Sequence, residues 1–349
     1  MQTPLTERLG IRLPVLQAPM AGSQDHRLAL AVAQAGGLGA IAAAMLSPEA
    51  LDRELAAFRS ASPAPLNVNF FCHTPPVPDE QAQTQWRQTL APFYRTFGID
   101  PATVASGPGR TPFSAEAADV LALHRPAVVS FHFGLPAPSL LDRVKTWGAK
   151  VLCSATTVEE GLWLQAHGVD AVIAQGLEAG GHRGHFLSDD LSRQTGTLAL
   201  LPRLVAALQV PVIAAGGIAT PAGVAAAKAL GASAVQVGTA YLLCPEATTS
   251  AVHRTALQSP QAGHTALTNL FSGRPARGIV NRLMRELGPL NTAAPDFPLA
   301  TAAVAPLRAA AEAQASGDFS PLWAGQAAPL CRAQSAAPLT EWLAQGWAD

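Results

Sequence analysis

The sequence predicts an α/β fold, a (β/α)8 TIM barrel carrying a smaller cap or substrate domain. Three observations carry that prediction. Eight short apolar runs alternate with helical segments between Leu13 and Tyr241. The runs are continuous in Val, Ile, Leu and Ala, as strands of a parallel sheet are when both faces are buried. The rhythm stops after eight units over about 240 residues, which suits a closed barrel better than an open doubly wound sheet.

The units follow in order. Leu13-Pro-Val-Leu-Gln-Ala-Pro-Met20 is the first strand and its turn. A short Ala/Leu helix over 27–35 stops at Gly36-Gly37, and 38–43 is the second strand. Ser47-Pro48-Glu49 opens the next helix with a capping hydroxyl, a proline at the first helical position and an acid in the first turn. The third strand is 66–71, where Asn67 and Asn69 share a face by the period-2 rule. The pattern resumes with strand 127–133, helix 139–147, strand 151–154 and helix 158–167. Strand 171–174, helix 198–208, strand 210–217, helix 222–230 and strand 234–241 complete the set.

Two stretches break the alternation. From His73 to about Ala115 come Pro75-Pro76, a polar helix near 80–97 and a Gly/Pro-rich segment up to Pro112. A connection of that length is usually functional or a small subdomain. After Pro245, the basic segment 268–279 leads to helices near 280–287 and 300–315 and a loop-rich end with Trp323, Trp342 and Trp347. The expected division is therefore a barrel from 1–72 and 116–245, and a cap from 73–115 and 246–349.

Bulk properties exclude several classes. Of 349 residues, 49% are apolar and 13% charged, with a net charge of −1, so nothing electrostatic favours nucleic acid or an anionic membrane. The segment 28–48 is uncharged and long enough to span a bilayer, but Gln34, Gly36-Gly37 and Ser47-Pro48 interrupt it. The first ten residues lack an apolar signal core, so a cytoplasmic protein is expected. Cys72, Cys153, Cys244 and Cys331 are scattered, without a metal-ligand spacing, and read as free thiols with no metal site.

Chemistry concentrates on the loop after the sixth strand, Gln175-Gly-Leu-Glu-Ala-Gly-Gly-His-Arg-Gly-His185. Gly180, Gly181 and Gly184 free the backbone, and Glu178, His182, Arg183 and His185 handle protons or anions. A histidine titrates near neutral pH and can serve as a base. The loops after the seventh and eighth strands, Gly216-Gly217 to Thr220 and Gln236-Val-Gly238-Thr239, fit the phosphate cup common in this barrel class. No glycine fingerprint of a Rossmann-type nucleotide site opens the first half.

Taken together, Gln17-Ala-Pro-Met-Ala-Gly22, Asn67-Val-Asn69, Ser130-Phe-His-Phe-Gly134, the 175–184 loop, Ala214-Ala-Gly-Gly-Ile218, Gln236-Val-Gly-Thr239 and Ser272-Gly-Arg-Pro-Ala-Arg-Gly278 resemble the nitronate monooxygenase family. The last 60 or so residues carry no matching motif. The resemblance implies FMN across the barrel mouth. Met20, Asn69 and Gln175 would contact the flavin or ribityl groups, and Gly180, Gly217 and the stretch Gln236, Val237, Gly238 and Thr239 would hold the ribityl chain and phosphate. His182 matches the catalytic histidine. His132 and Arg183 would lie near the substrate, while the roles of His185, Arg274 and Arg277 stay open. The implied reaction is oxidation of an alkyl nitronate, such as propionate 3-nitronate, by FMN and O2 to a carbonyl compound and nitrite. Two rivals remain: an NAD(P)H-dependent flavin reductase on the same scaffold, and a non-catalytic flavin-binding barrel.

Overall fold

A computed structural model describes residues 2–77, 79–104 and 110–348. Part of the Gly/Pro-rich segment expected before Pro112, residues 105–109, lies outside the described residues. The barrel strands are β1 (Val15–Gln17), β2 (Gly39–Ala42), β3 (Leu66–Phe71), β4 (Val128–His132), β5 (Lys150–Ala155) and β6 (Ala171–Gln175). After the two-residue strand β7 (Gly181–His182), which lies outside the barrel, come β8 (Val212–Ala215) and β9 (Ala234–Val237). All neighbours pair parallel, and β1 joins β9. Gln17 N–H donates to Leu38 O at 2.9 Å and Leu38 N–H to Val15 O at 3.0 Å, which closes the ring between β1 and β2. The eight expected strands are thus the eight observed, in order.

The helices are α1 (Pro4–Leu9), α2 (His26–Gln34), α3 (Pro48–Ala61), α4 (Glu80–Thr96), α5 (Ala115–His124), α6 (Pro138–Lys145) and α7 (Val158–Ala166). They continue with α8 (Thr197–Ala207), α9 (Pro221–Ala229), α10 (Ala251–Leu257), α11 (Arg282–Leu287), α12 (Ala300–Glu312) and α13 (Ala336–Ala344). Caps start many of them as the sequence signals. Ser47 accepts from Ala50 N–H ahead of Pro48, Thr157 from Glu160 N–H, and Thr220 from Gly223 N–H. Alternate strand residues separate two cores. Leu16, Leu38, Val128, Leu152, Ile173 and Ile213 fill the barrel, while Val15, Val68, Val129, Val151 and Val172 face the helices. Leu5 and Leu9 of α1, a helix the sequence reading did not anticipate, join the barrel interior, and burying each contributes roughly 1.5–3 kcal/mol.

The cap is a separate cluster. Trp86, Leu90 and Tyr94 of α4 pack on Ala300, Ala303 and Leu307 of α12, with Tyr94 Oη–H donating to Ala303 O at 2.6 Å. Beneath it runs an antiparallel sheet in which β11 (Ala276–Ile279) sits between β10 (Thr265–Thr268) and β7. One part of the expected cap belongs elsewhere. Leu339, Leu343 and Trp347 pack into the barrel's outer core, and α13 lies against α2 and α9. Its apolar face packs between those two helices and against β1. Among the described residues, no helix is long and apolar enough to cross a membrane, and Cys72, Cys153, Cys244 and Cys331 are free thiols.

Candidate active site

A cavity opens where the C-terminal ends of the barrel strands meet the cap sheet. Its wall brings together Met20, Asn69, His132, Gln175, Gly180, His182, Gly217, Gln236, Gly238 and Thr239 from loops spread over 220 residues of chain. Two expected members are absent. Val237 turns its side chain outward into the main core, one step out of phase with Gln236. Arg183 points away from the cavity and is fully buried, donating to the carbonyls of Gly176 (2.7 Å) and Gln175 (2.8 Å) and to Gln194 Oε1 (2.8 Å). It ties the end of β6 to the loop and is not beside the substrate space.

The rest of the loop is built as firmly. Gln175 Nε2–H donates to His182 O at 2.9 Å, and its Oε1 accepts from Gly184 N–H at 2.7 Å. The amide expected to face a flavin therefore also staples the loop across itself. Glu160 accepts from Phe186 N–H at 2.6 Å and Leu187 N–H at 3.3 Å, pinning the far end. Glu178 accepts from Thr197 N–H and Oγ1–H at the start of α8, where Gly196 offers no capping side chain. The strand β7 then anneals to β11, with His182 opposite Ala276. Arg277 Nε–H donates to Leu177 O at 2.8 Å, and Arg274 Nη2–H to His185 O.

His182 emerges from this frame into an aromatic wall. Phe71, Phe133, Phe297 and Trp323 surround its ring, with centroids 5.9, 6.1, 5.3 and 5.5 Å away. Burial, with Arg110 as the next cause, holds its pKa well below 6.5, so the ring is neutral at physiological pH. Its Nε2 lies 2.8 Å from Ser272 Oγ, which in turn lies 3.4 Å from the Arg274 carbonyl. A carbonyl only accepts. In the tautomer whose Nε2–H donates to Ser272 Oγ, Nδ1 carries the lone pair. Among the described residues, Nδ1 has no hydrogen-bond partner. Sequence reasoning quoted Ser272 within a motif without a role; only the pairing of β7 with β11 brings it to His182.

His132 is held differently. Its Nε2 lies 3.1 Å from His182 O, so that nitrogen donates, and Nδ1 accepts from Ser154 Oγ–H at 3.0 Å. With both nitrogens engaged and burial lowering its pKa to about 3, it orients the loop as a neutral ring. Buried His185 sits 3.5 Å from Asp189 and likewise has its pKa lowered to about 3 by burial.

Across the cavity is a polar cradle. Gly217 has φ +73° and Gly216 φ +112°, conformations that favour glycine, and a Cβ on Gly216 would meet Ala179 N at 2.9 Å. Among the described residues, the N–H groups of Gly217 and Gly238 find no acceptor, and the buried Gln236 Oε1 finds no donor. Asn69 Nδ2–H donates to Ser130 Oγ at 3.0 Å, and Gly325 N–H to Thr239 Oγ1 at 3.0 Å. Unmatched donors and an unmatched acceptor on one rim describe a place for a polar ligand.

Fold and cavity define a (β/α)8-barrel enzyme with a donor-rich rim and a neutral histidine set in an aromatic wall. The Nitronate monooxygenase family profile matches residues 2–346, and the chain belongs to that family of oxidoreductases. It is similar to nitronate monooxygenases from Pseudomonas aeruginosa (43% identity, 97% of each chain) and Paraburkholderia phytofirmans (41%, 96% of this chain and 92% of the relative). Among solved structures it resembles a nitroalkane oxidase from Streptomyces ansochromogenes, with a TM-score of 0.89 and 38% identity over 98% of this chain and 97% of that one.

Proposed function

We propose that this enzyme uses FMN and O2 to oxidise alkyl nitronates, propionate 3-nitronate among them, to a carbonyl compound and nitrite. The observation that carries the reading is the arrangement of His182: Nε2 held by Ser272, Nδ1 unpartnered, the ring in an apolar wall beside a donor-rich cradle. That cradle suits FMN. The free N–H groups of Gly217 and Gly238, with Thr239, match phosphate oxygens, and Gln236 Oε1 matches a ribityl hydroxyl or ring N–H. Met20, Asn69 and Gly180 would border the flavin, with Gln175 reaching it only through the hydrogen-bonding capacity its loop contacts leave. Bound there, FMN would supply the electron-accepting chemistry and the reaction with O2.

The chain's own residues supply position and proton control. With a neutral nitroalkane, Nδ1 of His182 takes the acidic α-proton, and Ser272 keeps the ring turned for it. A pre-formed nitronate needs no such step. The aromatic wall keeps water from the reacting carbon. His132 and Gln175 act through the His182 carbonyl, fixing where the imidazole stands.

The first test is the absorption spectrum of the purified protein, followed by nitrite release from propionate 3-nitronate. Oxidised-flavin bands and stoichiometric nitrite are expected. Bound flavin that NADH bleaches rapidly, without nitrite from any nitronate, would favour the reductase reading. His182→Asn should keep FMN yet lose nitroalkane oxidation by about 10²-fold or more, the usual scale of general-base catalysis. Unchanged turnover of a neutral nitroalkane in that variant would remove His182 from the role.

A further inference from the structure

One cavity residue has no assignment in that scheme. Arg110 lines the space shared with His182, Phe71 and Trp323. Its Nε is sealed from solvent and has no hydrogen-bond partner. Among the described residues its side chain has one polar contact, Thr301 Oγ1 at 3.5 Å, and that hydroxyl already donates to Phe271 O at 3.0 Å. Among the described residues, no carboxylate comes within ion-pair distance of it. Apart from the Phe297 ring, the surroundings add no counter-charge: among the described residues, Arg274 Nε and both nitrogens of buried His73 are also without partners. Among the described residues lining the cavity, the one carboxylate, Glu178, caps α8.

A guanidinium held this way carries an unmet requirement. Desolvating a cation without a counter-charge is costly, and the fork of Arg is shaped for a planar oxyanion. Phe297 relates its position to the reacting end. The Arg110 guanidinium carbon is 5.7 Å from the Phe297 ring centre, and the His182 ring is 5.3 Å from the same centre. Both groups therefore border the same ring and the same cavity, and a nitronate at His182 leaves Arg110 within reach of the far end of a short substrate.

We propose that Arg110 is the specificity residue that anchors a carboxylate carried at the far end of the nitronate. The inference rests on the nitronate reading above and names the residue that selects among nitronates. It makes the preferred substrate a dianion, with charge at both ends of a chain of a few carbons.

The test compares propionate 3-nitronate with propyl-1-nitronate, which lacks the carboxylate, in the flavin-loaded wild type, Arg110→Met and Arg110→Lys. The readout is the ratio of the two kcat/KM values. Methionine should lower that ratio by about tenfold to a hundredfold, the range for a charged hydrogen-bonded contact, mostly through KM. Lysine should recover part of it. A ratio unmoved in Arg110→Met while nitrite is still released overturns the anchor and leaves the nitronate reading intact. A second readout needs no turnover. Succinate has the dianionic shape of propionate 3-nitronate, and its binding can be followed by perturbation of the flavin spectrum. Weaker succinate binding in Arg110→Met supports the anchor even if no nitronate proves to be a substrate. Equal binding in wild type and both variants overturns it, and a methionine variant that does not retain flavin leaves the lysine variant to decide on the same two readouts.

Discussion

At the scale of single residues, the site depends on how a histidine is kept neutral and aimed. Because the pKa of His182 is held well below 6.5, the base form is present through the neutral range and is lost only as pH falls toward that lowered value. The expected profile of kcat/KM for a neutral nitroalkane is therefore flat from about pH 8 to about pH 6.5, with its acid limb below that. An inflection at or above 6.5 would mean that the wall does not desolvate the ring as the geometry implies. Ser272→Ala removes the polar contact that, among the described residues, orients the imidazole. A neutral hydrogen bond contributes about 0.5–1.5 kcal/mol, so kcat should drop about threefold to tenfold. Pre-formed nitronate should be less affected, because no proton is removed from it. Equal losses on both substrates would make Ser272 a general stabiliser of the loop. His182 was legible in the chain because its motif is local. Arg110 and Ser272 acquire a role only through contacts with residues 187 and 90 positions away, Phe297 and His182, and no spacing rule reports those.

At the scale of elements, the 175–187 loop is a rigid piece, and its glycines differ in purpose. A Cβ on Gly180 would fall 2.6 Å from Ala324 C and Gly325 N, backbone that cannot swing aside. That contact is where segment 324–326 closes over the loop, with Gln326 N–H donating to Glu178 O at 2.9 Å. Gly181 has open space around its missing Cβ but φ +72°. Gly181→Ala should therefore lose roughly 1–2 kcal/mol of stability from backbone strain alone. Gly180→Ala should lose more, and lose flavin as well, because the closing segment must shift. Thermal melts and flavin content of the two purified variants check this; equal, mild effects would show that the closure is not tight. The barrel elements were readable because each is announced within a dozen residues by a cap, an apolar run or a glycine stop. The helix α1 was not, since two leucines in six residues make too short a pattern, and β7 was not, since two residues become a strand only when β11 arrives beside them.

At the scale of the whole molecule, the cap was the least legible part. It is assembled from α4 and α12, more than 200 residues apart, with residues of the 270–284 segment between them, while five of the barrel strands intervene and the final helix packs on the barrel. The folded chain buries several imidazoles, with a consequence for acid stability. Burial lowers the pKa of His73 and His253 to about 4 and of His132 and His185 to about 3. In the unfolded chain each would titrate near 6.5. As pH falls, the unfolded state takes up these protons before the folded state does. Their contribution is complete above about pH 6.5 and is lost progressively toward pH 4 and then 3. Each ring loses on the order of 1 kcal/mol by about pH 5.5, with coupling among neighbours making the total less than additive. Carboxylates with ordinary pKa values titrate lower, so the window from pH 6.5 to 5.5 reports mainly histidines. The flavin-loaded protein should melt several degrees lower at pH 5.5 than at pH 7.5, and His253→Asn, which leaves His182 and Arg110 in place, should shrink the difference. A melting temperature independent of pH across that window would mean that water reaches these rings and that the cavity is wetter than its aromatic wall implies.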